Sequence, residues 1–399
     1  MLISERAVEV QASPIRKLMP YAINAKKKGI KVYHLNIGQP DIETPEIMLD
    51  VYRNFSEKIL AYGPSQGLDE YRSALVKYYQ KFGISLNEDE INVTTAGSEA
   101  IIFAMIITCN PGDEIIVPEP FYTNYNSFAT IAGINLTPIT TYAETGFALP
   151  EREVIENRIH KKTKAIMICN PGNPTGTVYT RKEMEMLAEI ALKYNIFLIS
   201  DEVYREFVYE GEKCTSILEL KGIEHLAIMC DSISKRYSAC GARVGCIVSR
   251  NKDFMASALK FAQARLCPPT IDQMAAAACS ELPDSYTEEI LLEYNHRRNL
   301  VYEALIKIEG VVCVKPRGAF YIIAKLPIEN AEDFIIWLLE HYQVNGETIM
   351  MAPADGFYAT VGLGKDELRI AYVLNEEDLR KAMHIFVTGL IEYRKIKGF

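Results

Sequence analysis

Apolar runs of five or six residues, each closed by polar or turn-forming residues, recur through the first part of the chain. They lie at Ile91–Thr95, Glu114–Pro118, Ile134–Ile139, Ala165–Cys169, Ile196–Asp201, Leu226–Asp231 and Gly245–Ser249. Their length and β-branched content predict strands, and segments with apolar positions at three- and four-residue spacing, such as Arg181–Tyr194, predict the helices between them. Strands alternating with helices give a wound α/β sheet, here a mostly parallel one of seven strands. The link from Asp231 to Gly245 is too short and too rich in Ser and Gly for a crossover helix. The strand at Gly245 is therefore expected to run antiparallel to its neighbours.

After Pro283 the pattern changes. A long helix is predicted around Glu288–Ile308, strands at Val311–Lys315 and Ala319–Ala324, a helix at Ala331–Tyr342 and a strand at Leu368–Val373, which together describe a smaller α+β domain. The first forty residues, with Pro14, Pro20, Gly29, Gly38 and Pro40, have no clear sheet role and read as an arm plus linker. The expected division is an arm and linker over residues 1–44 that contributes to the small domain, a large domain over 45–285, and the small C-terminal domain over 286–399.

Composition narrows the function more than the fold. The chain has 399 residues, 49% of them apolar, enough for one large or two moderate cores. A formal charge of −9 argues against nucleic acid or an anionic membrane as a partner, because both select clustered basic surface. Nine cysteines occur without a CxxC pair or a histidine at ligand spacing, so neither a metal site nor a disulfide framework is expected. The opening Met-Leu-Ile-Ser-Glu-Arg lacks a signal peptide's apolar core, and the run Ala100–Cys109 is too short to span a bilayer. A cytoplasmic location is the expectation.

Candidate chemistry gathers at the carboxyl ends of the predicted strands, where open α/β sheets bind ligands. Lys235 closes the run Asp231-Ser232-Ile233-Ser234-Lys235, and Arg243 follows eight residues later. A lysine beside serines with an arginine at fixed distance suits a cofactor that is an aldehyde at one end and a phosphate at the other, pyridoxal 5′-phosphate. Asp201, at the end of its apolar strand, reads alone as a helix cap. Beside Lys235 it would keep a pyridine nitrogen protonated, so that the cationic ring accepts the electrons of a breaking Cα–H bond. Asn170-Pro171-Gly172-Asn173-Pro174-Thr175-Gly176 reads alone as a turn; functionally, the Asn173 amide and the Tyr204 hydroxyl would both donate to the cofactor's phenolic oxygen. Thr94-Thr95-Ala96-Gly97-Ser98-Glu99-Ala100 is either a capped turn or a phosphate site at a helix N-terminus; Ser232, Ser234 and Arg243 favour the phosphate. The dinucleotide fingerprint G-x-G-x-x-G is absent, which counts against a nicotinamide enzyme.

In order along nearly the whole chain, the following motifs resemble those of the class I/II aminotransferases of fold type I, the aspartate aminotransferase superfamily. They are Asn36-Ile37-Gly38-Gln39-Pro40-Asp41, Tyr62-Gly63, Gly97-Ser98-Glu99, Asn173-Pro174-Thr175-Gly176, Asp201-Glu202-Val203-Tyr204, Ser232-x-Ser234-Lys235 with Gly241-x-Arg243-x-Gly245, and Arg369. The resemblance implies that Lys235 holds the cofactor and then carries a proton between substrate Cα and cofactor. It implies Tyr122 as the aromatic stacked on the pyridine ring, although a core aromatic is the alternative with Phe121 adjacent. Arg369 would grip the substrate α-carboxylate, assisted by Asn173 and the Gly38 backbone, whereas the strand pattern alone makes it a solvent-facing charge. Gly97, Ser98 and Glu99 fall in the cofactor-binding loop. Tyr62 would reach the phosphate of a neighbouring subunit, so a homodimer is implied. The chain departs from the family where Arg236-Tyr237-Ser238-Ala239-Cys240 replaces a Thr-Phe-type segment, with the spacing to Arg243 kept.

Aspartate as amino donor and 2-oxoglutarate as acceptor is the leading expectation. A dicarboxylate needs a second cation, for which Arg265 is a candidate with an ordinary helix-face charge as its alternative; Tyr33 and Ile37 would instead line a pocket for an apolar or aromatic side chain. A β-lyase or decarboxylase on the same scaffold remains open, since the same electron sink serves several bond cleavages. A ligand sensor fused to a DNA-binding domain is disfavoured, because about forty residues precede the Gly38 motif, too few for a winged helix.

Overall fold

The computed structural model describes residues 3–398. Its strands begin with β1 (Lys31–His34), β2 (Ile91–Thr95), β3 (Glu114–Glu119), β4 (Asn135–Thr140), β5 (Thr163–Cys169) and β6 (Phe197–Asp201). They continue with β7 (Ala227–Ser232), β8 (Val244–Val248), β9 (Tyr321–Lys325), β10 (Glu347–Met350), β11 (Ala352–Pro353) and β12 (Glu367–Ala371).

Seven of them form one sheet in the order β2-β8-β7-β6-β5-β3-β4. The unbroken apolar runs have a direct cause: alternate side chains go to opposite faces, and both faces are covered. Ile115, Val117, Ala165, Met167, Ile199 and Ile247 pack on one side with Phe103, Phe128 and Phe254. Their neighbours Ile116, Ile166, Ile168, Leu198 and Val248 pack on the other with Tyr71, Leu75 and Leu187. The helix Arg181–Tyr194 has the expected ends because Thr180 and Glu183 form a capping box and Asn195 closes it in the left-handed region at φ 50°. Strand β8 is antiparallel to both β7 and β2, as the short link requires.

Two small sheets complete the fold, β1 paired parallel with β10, and β11-β12-β9 antiparallel. The pairing of β1 with β10 corrects the reading of the first forty residues: Lys31–His34 is a strand whose partner is more than three hundred residues away in the chain. Leu18, Ala22 and Val32 share an apolar cluster with Phe334, Leu338, Leu379 and Phe386, so the N-terminal segment packs with the C-terminal part. The predicted strand at Val311–Lys315 does not form; Val312 makes only an isolated bridge to Lys325. The long helix runs Asp284–Leu305, and a second of equal length, Glu376–Lys397, lies near the C-terminus. No helix among the described residues is long and apolar enough to cross a membrane.

Candidate active site

Strands β5, β6 and β7 run parallel and end together at Cys169, Asp201 and Ser232. The loops that follow enclose a pocket of about 340 Å³. Gly38, Gly97, Ser98, Tyr122, Asn173, Asp201, Tyr204, Ser232, Ser234, Lys235, Arg243 and Arg369 all line it. A larger cavity of about 1330 Å³ lies elsewhere, against Tyr78, Arg205 and Arg236, and none of Lys235, Asp201 or Arg369 borders it.

Lys235 sits on a single helical turn, Ile233–Arg236, capped by the Ser232 hydroxyl. Its Nζ donates to the Gly38 carbonyl at 2.8 Å and approaches Cys240 Sγ at 3.6 Å. Burial lowers its pKa, opposed by Cys240, and the charges of Arg369 and Arg243 push the same way as burial. An amine so placed is closer to the neutral form that takes up a proton. The next residue, Arg236, is turned away and buried, paired with Asp231 and 3.4 Å from Glu206. The unusual segment after the lysine therefore builds the core beneath the site and leaves the Lys235-to-Arg243 spacing intact.

Asp201 is 5% exposed and accepts from Tyr125 Oη at 2.7 Å. Burial raises its carboxyl from the usual range to about 6, with the Tyr125 hydrogen bond pulling down. Linkage fixes the sign of the consequence. The folded chain holds this proton more tightly than the unfolded chain, so as pH rises from about 4 to above 6 the cofactor-free fold loses stability. The loss is at most about 3 kcal/mol for a shift of this size. Asp201→Asn keeps an acceptor for Tyr125 and removes the titration. Denaturation of cofactor-free protein at pH 4.5 and 7.5 should show the variant gaining on wild type at the higher pH; an unchanged difference would contradict it.

Two strands from the C-terminal part supply the other wall. Arg369 lies in the middle of β12 and is 1% exposed, which overturns the solvent-facing reading. Its Nη1 donates to Asn173 Oδ1 at 3.1 Å, its Nη2 donates to the Asn36 carbonyl, and its Nε is buried with no partner. The guanidinium lies over the rings of Tyr321 and Phe357 at 4.6 and 4.9 Å. Because Asn173 uses its oxygen on Arg369, its amide N–H groups are left for another acceptor. Tyr204 is buried with its hydroxyl 2.8 Å from that of Tyr321. Gly38 is required here: a Cβ would stand 1.7 Å from Tyr321 Oη.

The opposite end of the pocket is built from backbone. Ala96, at φ 60°, turns β2 into the helix Ala96–Thr108, whose first turn includes Gly97 and Ser98. First-turn N–H groups have no intrahelical acceptor and suit an anion. The hydroxyls of Ser232 and Ser234 are 2.8 Å apart, and Arg243 is exposed with one guanidinium nitrogen on the Cys240 carbonyl. Gly245 keeps this cup in shape, since a Cβ there would lie 2.6 Å from the Ala96 carbonyl carbon and the Asp231 oxygen.

Several candidates lie outside the pocket. Glu99 does not line the pocket; its carboxylate accepts from Thr95 N at 2.7 Å, closing the turn before its own helix, and lies 3.7 Å from Arg265. Arg265 does not line this chain's pocket: its Nη2 donates to the carbonyls of Ser65 and Val93, while its Nε and Nη1 are buried with no hydrogen-bond partner. Tyr33 is buried between small-sheet strands with its hydroxyl on Glu347, whereas Ile37 does line the pocket. Tyr62 stands outside the pocket and is 80% exposed. The adjacent aromatics separate, Phe121 entering the core and Tyr122 the pocket. Sequence reasoning missed Tyr125, Tyr321 and Arg16; only Tyr125, three residues after Tyr122 at a helix start, carried any local signal.

A seven-stranded mixed sheet with this site at its strand ends and a second α+β layer is the architecture of fold type I transferases. The chain belongs to the aminotransferase class I and II family, whose pattern it matches over residues 30–386. It is 33% identical to an aspartate aminotransferase of Sulfurisphaera tokodaii over 90% of each chain. It is 31% identical to aromatic-amino-acid aminotransferase 2 of Thermococcus litoralis over 96% of this chain and 97% of the relative. Among solved structures it superposes on the alanine aminotransferase of Pyrococcus furiosus with a TM-score of 0.88, at 33% identity and covering 98% of this chain and all of that one. The protein is an aminotransferase.

Proposed function

We propose that this aminotransferase uses pyridoxal 5′-phosphate to move an amino group from L-aspartate to a 2-oxo acid such as 2-oxoglutarate. The observation that carries this reading is the convergence of Lys235, Asp201 and Arg369 on one pocket, with a backbone-and-hydroxyl cup at its end. The lining fits an anionic cofactor and a carboxylate substrate: four cations, Arg16, Lys235, Arg243 and Arg369, border the pocket with one carboxylate, Asp201, and the buried Arg369 Nε lacks a partner.

Bound there, the cofactor supplies an aldehyde carbon that takes the substrate nitrogen and a ring that accepts the electron pair of the broken Cα–H bond. The chain supplies the rest. Lys235 Nζ would hold the aldehyde carbon at rest and, once the substrate amine displaces it from that carbon, would be the free base that takes the proton at substrate Cα. Asp201 would keep a proton on the ring nitrogen. Asn173 and Tyr204 would donate to the phenolic oxygen, and Tyr122 would cover the ring. Ser232, Ser234, Arg243 and the N–H groups of Gly97 and Ser98 would hold the phosphate. Arg369, with Asn173 and Gly38 beside it, orients the substrate α-carboxylate.

Tyr62, exposed and outside its own pocket, reaches the phosphate site of a second copy, so the working form is a homodimer. The division at residues 44/45 and 285/286, an N-terminal arm packing with the small domain, and a cytoplasmic location belong to the same reading; nine unpaired cysteines suit it. Aspartate leads as donor because several curated relatives carry that name.

The test is a matrix of amino donors (aspartate, glutamate, alanine, tyrosine) against oxo acids, ranked by kcat/KM. Aspartate with 2-oxoglutarate should rank first, by roughly 10-fold or more over a donor lacking the second carboxylate. An aromatic donor at the top would move the assignment to aromatic amino acids. Ammonia and pyruvate formed without any oxo acid would replace transfer by elimination.

A further inference from the structure

We propose that Arg16 is the residue that recognises the distal carboxylate of a dicarboxylic substrate, and so sets this enzyme's specificity for dicarboxylic over monocarboxylic amino and oxo acids. The inference rests on the assignment of aminotransfer to the pocket and adds a substrate class to it.

Four cations border the pocket, and three have chemical partners once cofactor and substrate are bound. The phosphate takes Arg243, the aldehyde carbon takes Lys235, and the substrate α-carboxylate takes Arg369. One positive side chain is left over, Arg16, while the only acid lining the pocket among the described residues, Asp201, is committed to the ring nitrogen. A surplus cation at a substrate pocket selects for a substrate carrying a second negative charge.

The segment that carries Arg16 is held in place by its neighbours. Pro14 is buried and packs so closely on Gly356 that a Cβ there would meet it at 2.3 Å. The Ile15 carbonyl accepts from Asn36 Nδ2 at 3.2 Å, and the carbonyl of the same Asn36 accepts from Arg369. Lys17 pairs with Glu332 and lies 3.5 Å from Asp355. Arg16 itself forms no side-chain hydrogen bond or ion pair with any described residue, so its guanidinium is available to a ligand. Its charge is felt inside the pocket: burial raises the Tyr122 hydroxyl, and Arg369, Arg243 and Arg16 oppose that rise. Ser13, Asn124 and Ser98 border the same pocket and supply neutral donors beside it. Arg265, the other arginine in question, does not border this pocket; its Nη2 donates to two backbone carbonyls and its Nη1 lies 3.7 Å from Glu99.

The test compares wild type, Arg16→Gln and Arg16→Lys as holoenzymes in two readouts. In turnover, Arg16→Gln should lose roughly 10- to 100-fold in kcat/KM for aspartate and 2-oxoglutarate, the worth of a charged hydrogen bond, with alanine and pyruvate unchanged. Arg16→Lys should recover part of the loss, because the charge is kept without the planar fork. In calorimetry, succinate, which has no amino group to transfer, should bind Arg16→Gln weaker by the same factor while propionate binding does not change. Equal effects on dicarboxylates and monocarboxylates, or none on either, would overturn the proposal. A wild type that turns over only monocarboxylates would overturn it and leave aminotransfer standing. Arg16-dependent succinate binding in an enzyme that transfers no amino group would sustain the proposal and remove the assignment of aspartate transfer.

Discussion

Replacement of Lys235 by alanine is expected to lower transamination by at least about 10⁴-fold, combining the upper range for a lost proton carrier with loss of the covalent hold. Fold stability should barely move, since the side chain's polar contacts are one carbonyl, Gly38, and one thiol, Cys240. Lys235→Arg should be as inactive as Lys235→Ala. A guanidinium keeps its proton under all working conditions and cannot act as the base, whereas the lysine amine is pushed by burial toward its neutral form. Initial rates and thermal unfolding of both variants check this. Wild-type turnover in either would remove Lys235 from the mechanism.

The second large effect is expected at Arg369. Its guanidinium is 1% exposed and held by Asn173 and the Asn36 carbonyl over Tyr321 and Phe357, with its Nε unpaired. A cation already stripped of water and fixed in orientation binds a carboxylate at little further cost, while a carboxylate left facing a neutral residue is a buried charge without a partner. Removing one partner of such a pair costs about 3–5 kcal/mol, so Arg369→Gln should lower kcat/KM by roughly 10²- to 5 × 10³-fold. Because every amino acid carries the α-carboxylate, the loss should be the same for aspartate and alanine, in contrast to Arg16→Gln. Arg369→Lys should not restore it, since the site is built for a planar fork. A loss confined to aspartate would place Arg369 on the distal carboxylate instead.

Much of the large sheet was legible because both faces are covered, which leaves unbroken apolar runs ending in turn residues. The direction of β8 was legible from the length of a single link. The small sheets were not: β1 is four residues, Lys-Val-Tyr-His, and its pairing with β10 is a contact between chain regions that no local pattern encodes. Val311–Lys315 read as a strand from its valines yet makes only one bridge. The site was legible where a residue sits at a strand end within a dense motif, as at Asp201, Asn173 and Lys235. It was illegible where neighbours are distant in the chain. The carbonyls that accept from Arg265 Nη2 come from residues 65 and 93, and Tyr321 reaches Tyr204 and Gly38 from another sheet. Glu99, placed by its motif in the cofactor loop, does not line the pocket, and its carboxylate closes the turn at Thr95.

The central claim is that Lys235 is the residue that holds the cofactor and carries the proton. Treating the protein with pyridoxal 5′-phosphate, then borohydride, fixes the cofactor to the amine that holds it, and peptide mass analysis locates that amine. The label should fall on the peptide containing Lys235, at one per chain, and disappear when excess aspartate is added before the reductant. A label on another lysine, or none, would contradict the account.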